Sequence, residues 1–151
     1  MTATNHALTG VVIAIAVKRP ELAIPIAFLS HFATDAIPHF HASQASRKVA
    51  KTLLYLDLTV GPILILFLTF RLKSSVSWWT IFLCAGSAAL PDAVWGYRLF
   101  KYRDIKKVTS EPMSAFSRLH ENIQWGSNKS GTVIESSWFI GMLLLIHGLA
   151  T

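Results

Sequence analysis

The chain has 151 residues, a length that suits one domain. It is 52% hydrophobic and only 15% charged, whereas soluble domains carry about a quarter charged residues. The apolar residues fall in long runs, which points away from an ordinary soluble domain and toward an integral membrane protein. The net charge of +6 does not read as a nucleic-acid surface, because the basic residues sit between apolar runs. Basic residues in that position flank membrane spans and meet anionic lipid. A single cysteine, Cys84, excludes a disulfide within the chain and a thiolate metal site.

The first apolar segment covers residues 4–17 and opens with His6. Its apolar part, 7–17, is short for a membrane span, which takes about 20 residues. A tilted helix, a half-buried one and one packed inside a bundle all remain open. Lys18-Arg19-Pro20 follows it, with none of the small residues of a leader cleavage site, so the segment reads as a retained helix. Pro20 bars continuation of that helix.

The second segment covers 22–40 and ends in Ser30-His31-Phe32-Ala33-Thr34-Asp35-Ala36-Ile37-Pro38-His39-Phe40. His31, Asp35 and His39 recur every fourth residue, which places them on one face of a helix. Pro38 should end or kink that helix near Ile37. His31 and Asp35 therefore remain as the pair and His39 is demoted, while His41 falls in a polar linker, 41–51.

The third segment, 52–70, carries Asp57 ahead of Gly61-Pro62, a pair that predicts a kink. The fourth, 78–100, contains Ala85-Gly86-Ser87-Ala88-Ala89, small residues that let membrane helices approach closely. Leu90-Pro91-Asp92 follows. Trp78 and Trp79 at one end, with Trp95 and Tyr97 toward the other, suit two interfacial belts. In the long basic connection 98–131, Met113, Phe116, Leu119 and Ile123 recur at helical spacing. They predict an amphipathic helix at the interface, bearing Arg118, His120 and Glu121. The fifth segment, 132–149, has Glu135 near its start and His147 near its end. The fold class read from this pattern is all-α. It is a small integral membrane bundle of about five segments plus an amphipathic interfacial helix, in one domain, 1–151.

If the five segments alternate, Lys18, Arg19, Arg71 and Lys73 lie on one side and the other ten basic residues on the opposite side. The positive-inside rule then puts the N-terminus and the richer loops in the cytoplasm. With a rise of about 1.5 Å per residue, His31, Asp35, Asp57, Asp92 and Glu135 fall within roughly 6 to 14 Å of that face. His6, His120 and Glu121 lie at the same face, and only His147 lies at the far end. Carboxylates gathered at one depth repel each other and resist desolvation, and a divalent cation relieves both. Imidazole with carboxylate suits zinc, manganese or iron, with zinc first and manganese second. Of His120 and Glu121, which point about 100° apart on a helix, His120 follows the apolar stripe and is the one expected to face the site.

Three short motifs carry a resemblance: Asn5-His6-Ala7-Leu8, the Leu-Ser-His-x-x-x-Asp-x-x-x-Pro of residues 29–38, and Leu90-Pro91-Asp92. Together they resemble the metal-dependent hydrolases of the bacterial inner membrane that include the LexA-binding inner-membrane-associated hydrolase group. The resemblance implies a small helical membrane protein that binds a divalent metal through His6, His31, Asp35 and Asp92. His120 stands in the nearest substitute for a further histidine segment of that family.

The function expected is metal-dependent hydrolysis of a phosphoester or acyl bond in a membrane-associated small-molecule or lipid substrate. His31, Asp35, Asp92 and His120 would hold the ion, with His6 or Asp57 completing the site. Glu121, Glu135 or Asp57 would serve as general base, and Arg118 and Lys129 could hold a phosphate. Two rivals use the same residues differently. An ion-coupled transporter would use them as a proton or cation relay. A non-catalytic membrane adaptor would use them for structure alone.

Overall fold

The computed structural model describes residues 1–40, 47–72, 76–102, 114–124 and 130–151, of which 47, 50, 94–96 and 98–102 are described by backbone alone. These residues form helices only: α1 (Ala3–Val17), α2 (Pro20–Asp35), α3 (Arg47–Leu72), α4 (Trp78–Tyr102), α5 (Ala115–Ile123) and α6 (Gly131–Ala150). His41, Met113, Trp125 and Lys129 lie outside the described residues.

Helix α1 is the centre of the bundle. It packs against α2, α3, α4 and α6, while α2 and α3 also pack on α4 and α5 rests on α2. The sequence of α1 accounts for this position. It carries no charged residue and is apolar on all sides, and such a helix is stable only when surrounded. Leu8, Val11 and Ala14 are fully buried. Of the three possibilities open for this short segment, packing inside the bundle is the one observed.

Close helix contact requires small side chains. A methyl group at Gly10 would collide with the backbone of Cys84 and Ala85, so α1 and α4 meet there nearly backbone to backbone. Ala85 and Ala88 are the buried members of the small-residue stretch on α4, with Cys84 buried just before it. Lys18, at φ 58°, ends α1 in the left-handed conformation. Its N–H bonds the Ala14 carbonyl, and Pro20 then starts α2 at a position where a proline is pre-shaped for a helix.

Helix α2 stops at Asp35, two residues short of the end expected from Pro38, and His39 lies beyond it. Helix α3 is continuous through Gly61 and Pro62, and α4 is continuous through Pro91. Two helices among the described residues, Lys51–Leu72 and Gly131–Ala150, are long and apolar enough to cross a membrane. Only 22% and 17% of their apolar windows are buried in the bundle, so these are not core helices of the fold. Ile63, Phe67 and Phe70 on α3, and Val133, Ile140 and Leu144 on α6, stand exposed. Helices α1 and α2, of 15 and 16 residues, do not reach that length.

Candidate metal centre

Four elements bring ionisable side chains to one buried point. Helix α1 contributes His6, α2 contributes His31 and Asp35, α4 contributes Asp92 and α5 contributes His120. His6, His31 and Asp35 are fully buried, and His120 is 6% exposed. His31 and Asp35 sit one turn apart on α2, with Nε2 and Oδ2 separated by 3.2 Å. From α1, His6 Nε2 lies 3.1 Å from Asp35 Oδ1 and 3.8 Å from Asp92 Oδ2. His31 Nε2 lies 3.8 Å from Asp92 Oδ1. His120 Nε2 lies 2.8 Å from both Asp35 Oδ2 and His31 Nε2.

One ligand atom from each of His6, His31, Asp35 and Asp92 can be chosen so that all lie within 4.8 Å of one another. Donor atoms held at about 2.0–2.2 Å from a tetrahedral ion are separated by roughly 3.3–3.6 Å. The measured separations lie on both sides of that edge, so the four residues could hold a metal ion.

The outward nitrogens of the rings point to the same use. His31 Nδ1 lies 2.7 Å from the Ala88 carbonyl, which can only accept, so Nδ1 carries a proton. In neutral His31 the Nε2 lone pair then faces the Asp35 carboxylate, a repulsive contact unless a proton or cation lies between. His6 Nδ1 lies 2.9 Å from the Thr34 hydroxyl, which itself lies 2.9 Å from the carbonyls of Ser30 and His31. When that hydroxyl proton goes to a helix carbonyl, His6 also turns a bare Nε2 toward Asp35. The His6 and His31 rings are stacked, with centroids 3.9 Å apart. Charging both rings would put two cations in buried contact. A divalent ion held by both nitrogens and the carboxylates would relieve the conflict, as would a proton donated by His120, whose Nε2 lies 2.8 Å from that of His31. A histidine that anchors its second nitrogen on a carbonyl or hydroxyl is the usual support of a metal ligand.

Asp35 is the hub. Besides the three histidines it meets the Met1 amino nitrogen at 2.6 Å and accepts from the Gln124 amide at 2.9 Å. The sequence pattern gave no reason to single out Thr34 or Gln124, because hydroxyls and amides are common everywhere. His39, demoted for lying past Pro38, is fully buried with Nε2 3.9 Å from Asp35 Oδ1. The fourfold spacing from Asp35 was the signal for it. The turn after α2 keeps the ring close although the helix has ended.

The other candidates lie elsewhere. Asp57 accepts from the N–H groups of Ala3 and Thr4 at 2.9 and 2.8 Å, and from the Thr4 hydroxyl. It thus caps α1 from a neighbouring helix, a role that Thr2 at the N-cap position does not fill. Glu135 is buried and meets the Thr2 N–H at 3.3 Å. Glu121 and Arg118 are exposed on α5, and His147 is exposed at the far end of α6. The structure therefore joins the five candidate ligands with His39, and sets Asp57 and Glu135 in a separate polar group around the start of α1.

No family model, curated protein or solved structure matches the chain. Its reading rests on the residues themselves.

Proposed function

We propose that the protein is a multi-pass inner-membrane enzyme that uses a divalent metal, zinc first and manganese second, to hydrolyse a phosphoester or acyl bond in a membrane-associated substrate. The observation that carries this reading is the buried cluster of His6, His31, Asp35 and Asp92, with His120 closing it from α5. Nitrogen and carboxylate donors together suit zinc. A bound divalent ion supplies Lewis acidity: it lowers the pKa of water and polarises the bond to be cleaved.

The chain's own residues provide the rest. His31 and His6 present Nε2, held by Ala88 and Thr34. Asp35 is fully committed to its neighbours. Asp92, with its side chain 25% exposed, is the carboxylate on the open side and is placed to take a proton from water. Arg118, exposed on α5 two residues before the inward-facing His120, would have to reach around the helix to meet a phosphate. An apolar cavity of ≈ 420 Å³ lies between α2, α4 and α5, lined by Phe28, Leu90, Pro91, Ala93, Tyr97 and Phe116. It suits the hydrocarbon portion of a lipid-like substrate. The ten basic residues of the linker, the 98–131 connection and α5 favour a cytoplasmic site, with the N-terminus on the same side.

Metal analysis of the protein purified without chelator tests the proposal. About one zinc or manganese per chain is expected in the wild type. His31→Ala and Asp35→Asn should each lose it while keeping their helical circular dichroism, and His147→Ala should retain it. A metal-free wild type overturns the reading. Assays of the loaded protein on phospholipids and prenyl phosphates then define the bond cleaved.

A further inference from the structure

The histidines around Asp35 fall into two sets, one on each carboxylate oxygen. Asp35 Oδ2 lies 3.2 Å from His31 Nε2 and 2.8 Å from His120 Nε2. Asp35 Oδ1 lies 3.1 Å from His6 Nε2 and 3.9 Å from His39 Nε2. Asp92 divides in the same way. Its Oδ1 is 3.8 Å from His31 Nε2 and 3.9 Å from His120 Nε2, whereas its Oδ2 is 3.8 Å from His6 Nε2. Both carboxylates thus turn one oxygen to His31 and His120 and the other to His6. Each oxygen has lone pairs of its own, so a carboxylate placed this way can bind a separate cation at either end.

The rings make the same division. His6 and His31 are stacked, with centroids 3.9 Å apart and planes inclined by 25°. An imidazole binds zinc along the lone pair in its own plane, at about 2.0–2.1 Å. Rings stacked face to face send those lone pairs side by side. A single ion shared by both nitrogens would sit out of both planes, a weaker arrangement than one ion before each ring. Paired ions in two-metal sites lie about 3.5–4 Å apart, a spacing close to that of the rings. His39 is fully buried, and its Nδ1 lies 2.8 Å from the Ile37 carbonyl, so in neutral His39 the proton is on Nδ1 and Nε2 is the ligand atom. The Met1 amino nitrogen, 2.6 Å from Asp35 Oδ1, already puts a positive charge on that side, and an ion entering there has to move it aside.

We propose that the cluster is a two-metal centre bridged by Asp35 and Asp92. His31 and His120 hold the first zinc with Asp35 Oδ2 and Asp92 Oδ1. The separations measured among these four atoms run from 2.8 to 3.9 Å, around the edge of roughly 3.3–3.6 Å that a tetrahedral zinc site requires. His6 and His39 hold the second zinc with Asp35 Oδ1 and Asp92 Oδ2, in a looser arrangement that fills only as free zinc rises. The inference rests on reading this cluster as a metal centre and adds an ion to it.

Equilibrium dialysis against zinc, read by elemental analysis of the detergent-solubilised protein, tests it together with X-ray absorption at the zinc edge. The wild type, purified with about one zinc, should take up one more and stop at about two, each with a zinc neighbour at about 3.5–4 Å. His6→Ala and His39→Ala should each keep the first ion, lose the second at the zinc concentration that fills it in the wild type, and lose the zinc neighbour. His147→Ala, at the far end of α6, should match the wild type. Uptake that saturates at one ion, or a second ion with no zinc neighbour at that distance, overturns the inference and leaves a one-metal centre standing. So does a His6→Ala variant that loses all zinc while keeping its helical circular dichroism. A wild type that takes up no zinc at all overturns the metal-centre reading and this inference with it.

Discussion

Residues only one position apart have different fates here, and helix geometry decides which. His120 turns inward to Asp35 while Glu121 stands in the open. Thr34 and Asp35 both lie on the buried side of α2, yet Asp35 is part of the candidate centre and Thr34 meets it through His6. The second relation makes a specific prediction. Thr34→Val keeps the volume but removes the hydroxyl that orients His6 Nδ1. It should weaken zinc binding about 10- to 100-fold while leaving the fold intact, as measured by competition with a fluorescent chelator. Asp57 is tested differently, since it bonds the first N–H groups of α1. Asp57→Ala should destabilise the protein by about 1–2 kcal/mol in a denaturant titration. Asp57→Asn, whose one amide oxygen can keep the Thr4 bonds while its N–H₂ faces the Ala3 N–H, should restore only part of that stability. A general base would behave otherwise: both variants would lose activity and neither would lose stability.

At the scale of elements, periodicity and proline marked the helices well, because burial of an apolar face and a missing N–H are local properties of the chain. The break between α1 and α2 at Pro20 and the apolar runs of α3, α4 and α6 follow directly from those rules, although α2 begins at Pro20 itself and not at Leu22. The place of α1 was less legible. Its short, uncharged sequence suits several environments, and only the surrounding helices decide among them. Of the site, the pair His31 and Asp35 could be read from spacing within one helix. The meeting of α1, α4 and α5 on that pair depends on tertiary packing, which carries no periodic signal. His39 was lost to a sound rule about proline, because a side chain can stay near a helix it no longer belongs to. The contact of Gly10 with the Cys84 and Ala85 backbone on α4 offers a check on how α1 is seated. Gly10→Val has no side chain to push aside, only backbone. It should cost about 1–3 kcal/mol or more, and should reduce metal content as well, since His6 lies one turn away on the same helix. Gly86→Ala, where a methyl group meets nothing within 4 Å, is its control and should change neither.

For the molecule as a whole, the candidate ligands are drawn from α1, α2, α4 and α5, of which only α1 and α2 follow each other closely in the chain. A metal ion bound among them would link four helices at one point. Helix α5 makes the fewest packing contacts, and its hold on the bundle is largely His120 to Asp35 and His31, Gln124 to Asp35, and Phe116 to Phe32. An ion that binds the folded state alone stabilises it by about 4 kcal/mol when free metal is 1,000 times its Kd. Stripping the metal with a chelator should therefore lower the unfolding midpoint in detergent, and adding zinc back should restore it in proportion to the logarithm of free zinc. The loss should not be uniform. Amide exchange should rise first in α5, next at the end of α2, and least in α1, whose buried faces do not depend on the ion. His120→Ala separates the two contributions. It should release α5 and weaken metal binding, yet leave His6, His31, Asp35 and Asp92 able to take up zinc at higher concentration. If chelation leaves both the midpoint and the exchange of α5 unchanged, the cluster is a hydrogen-bonded core and not a metal centre.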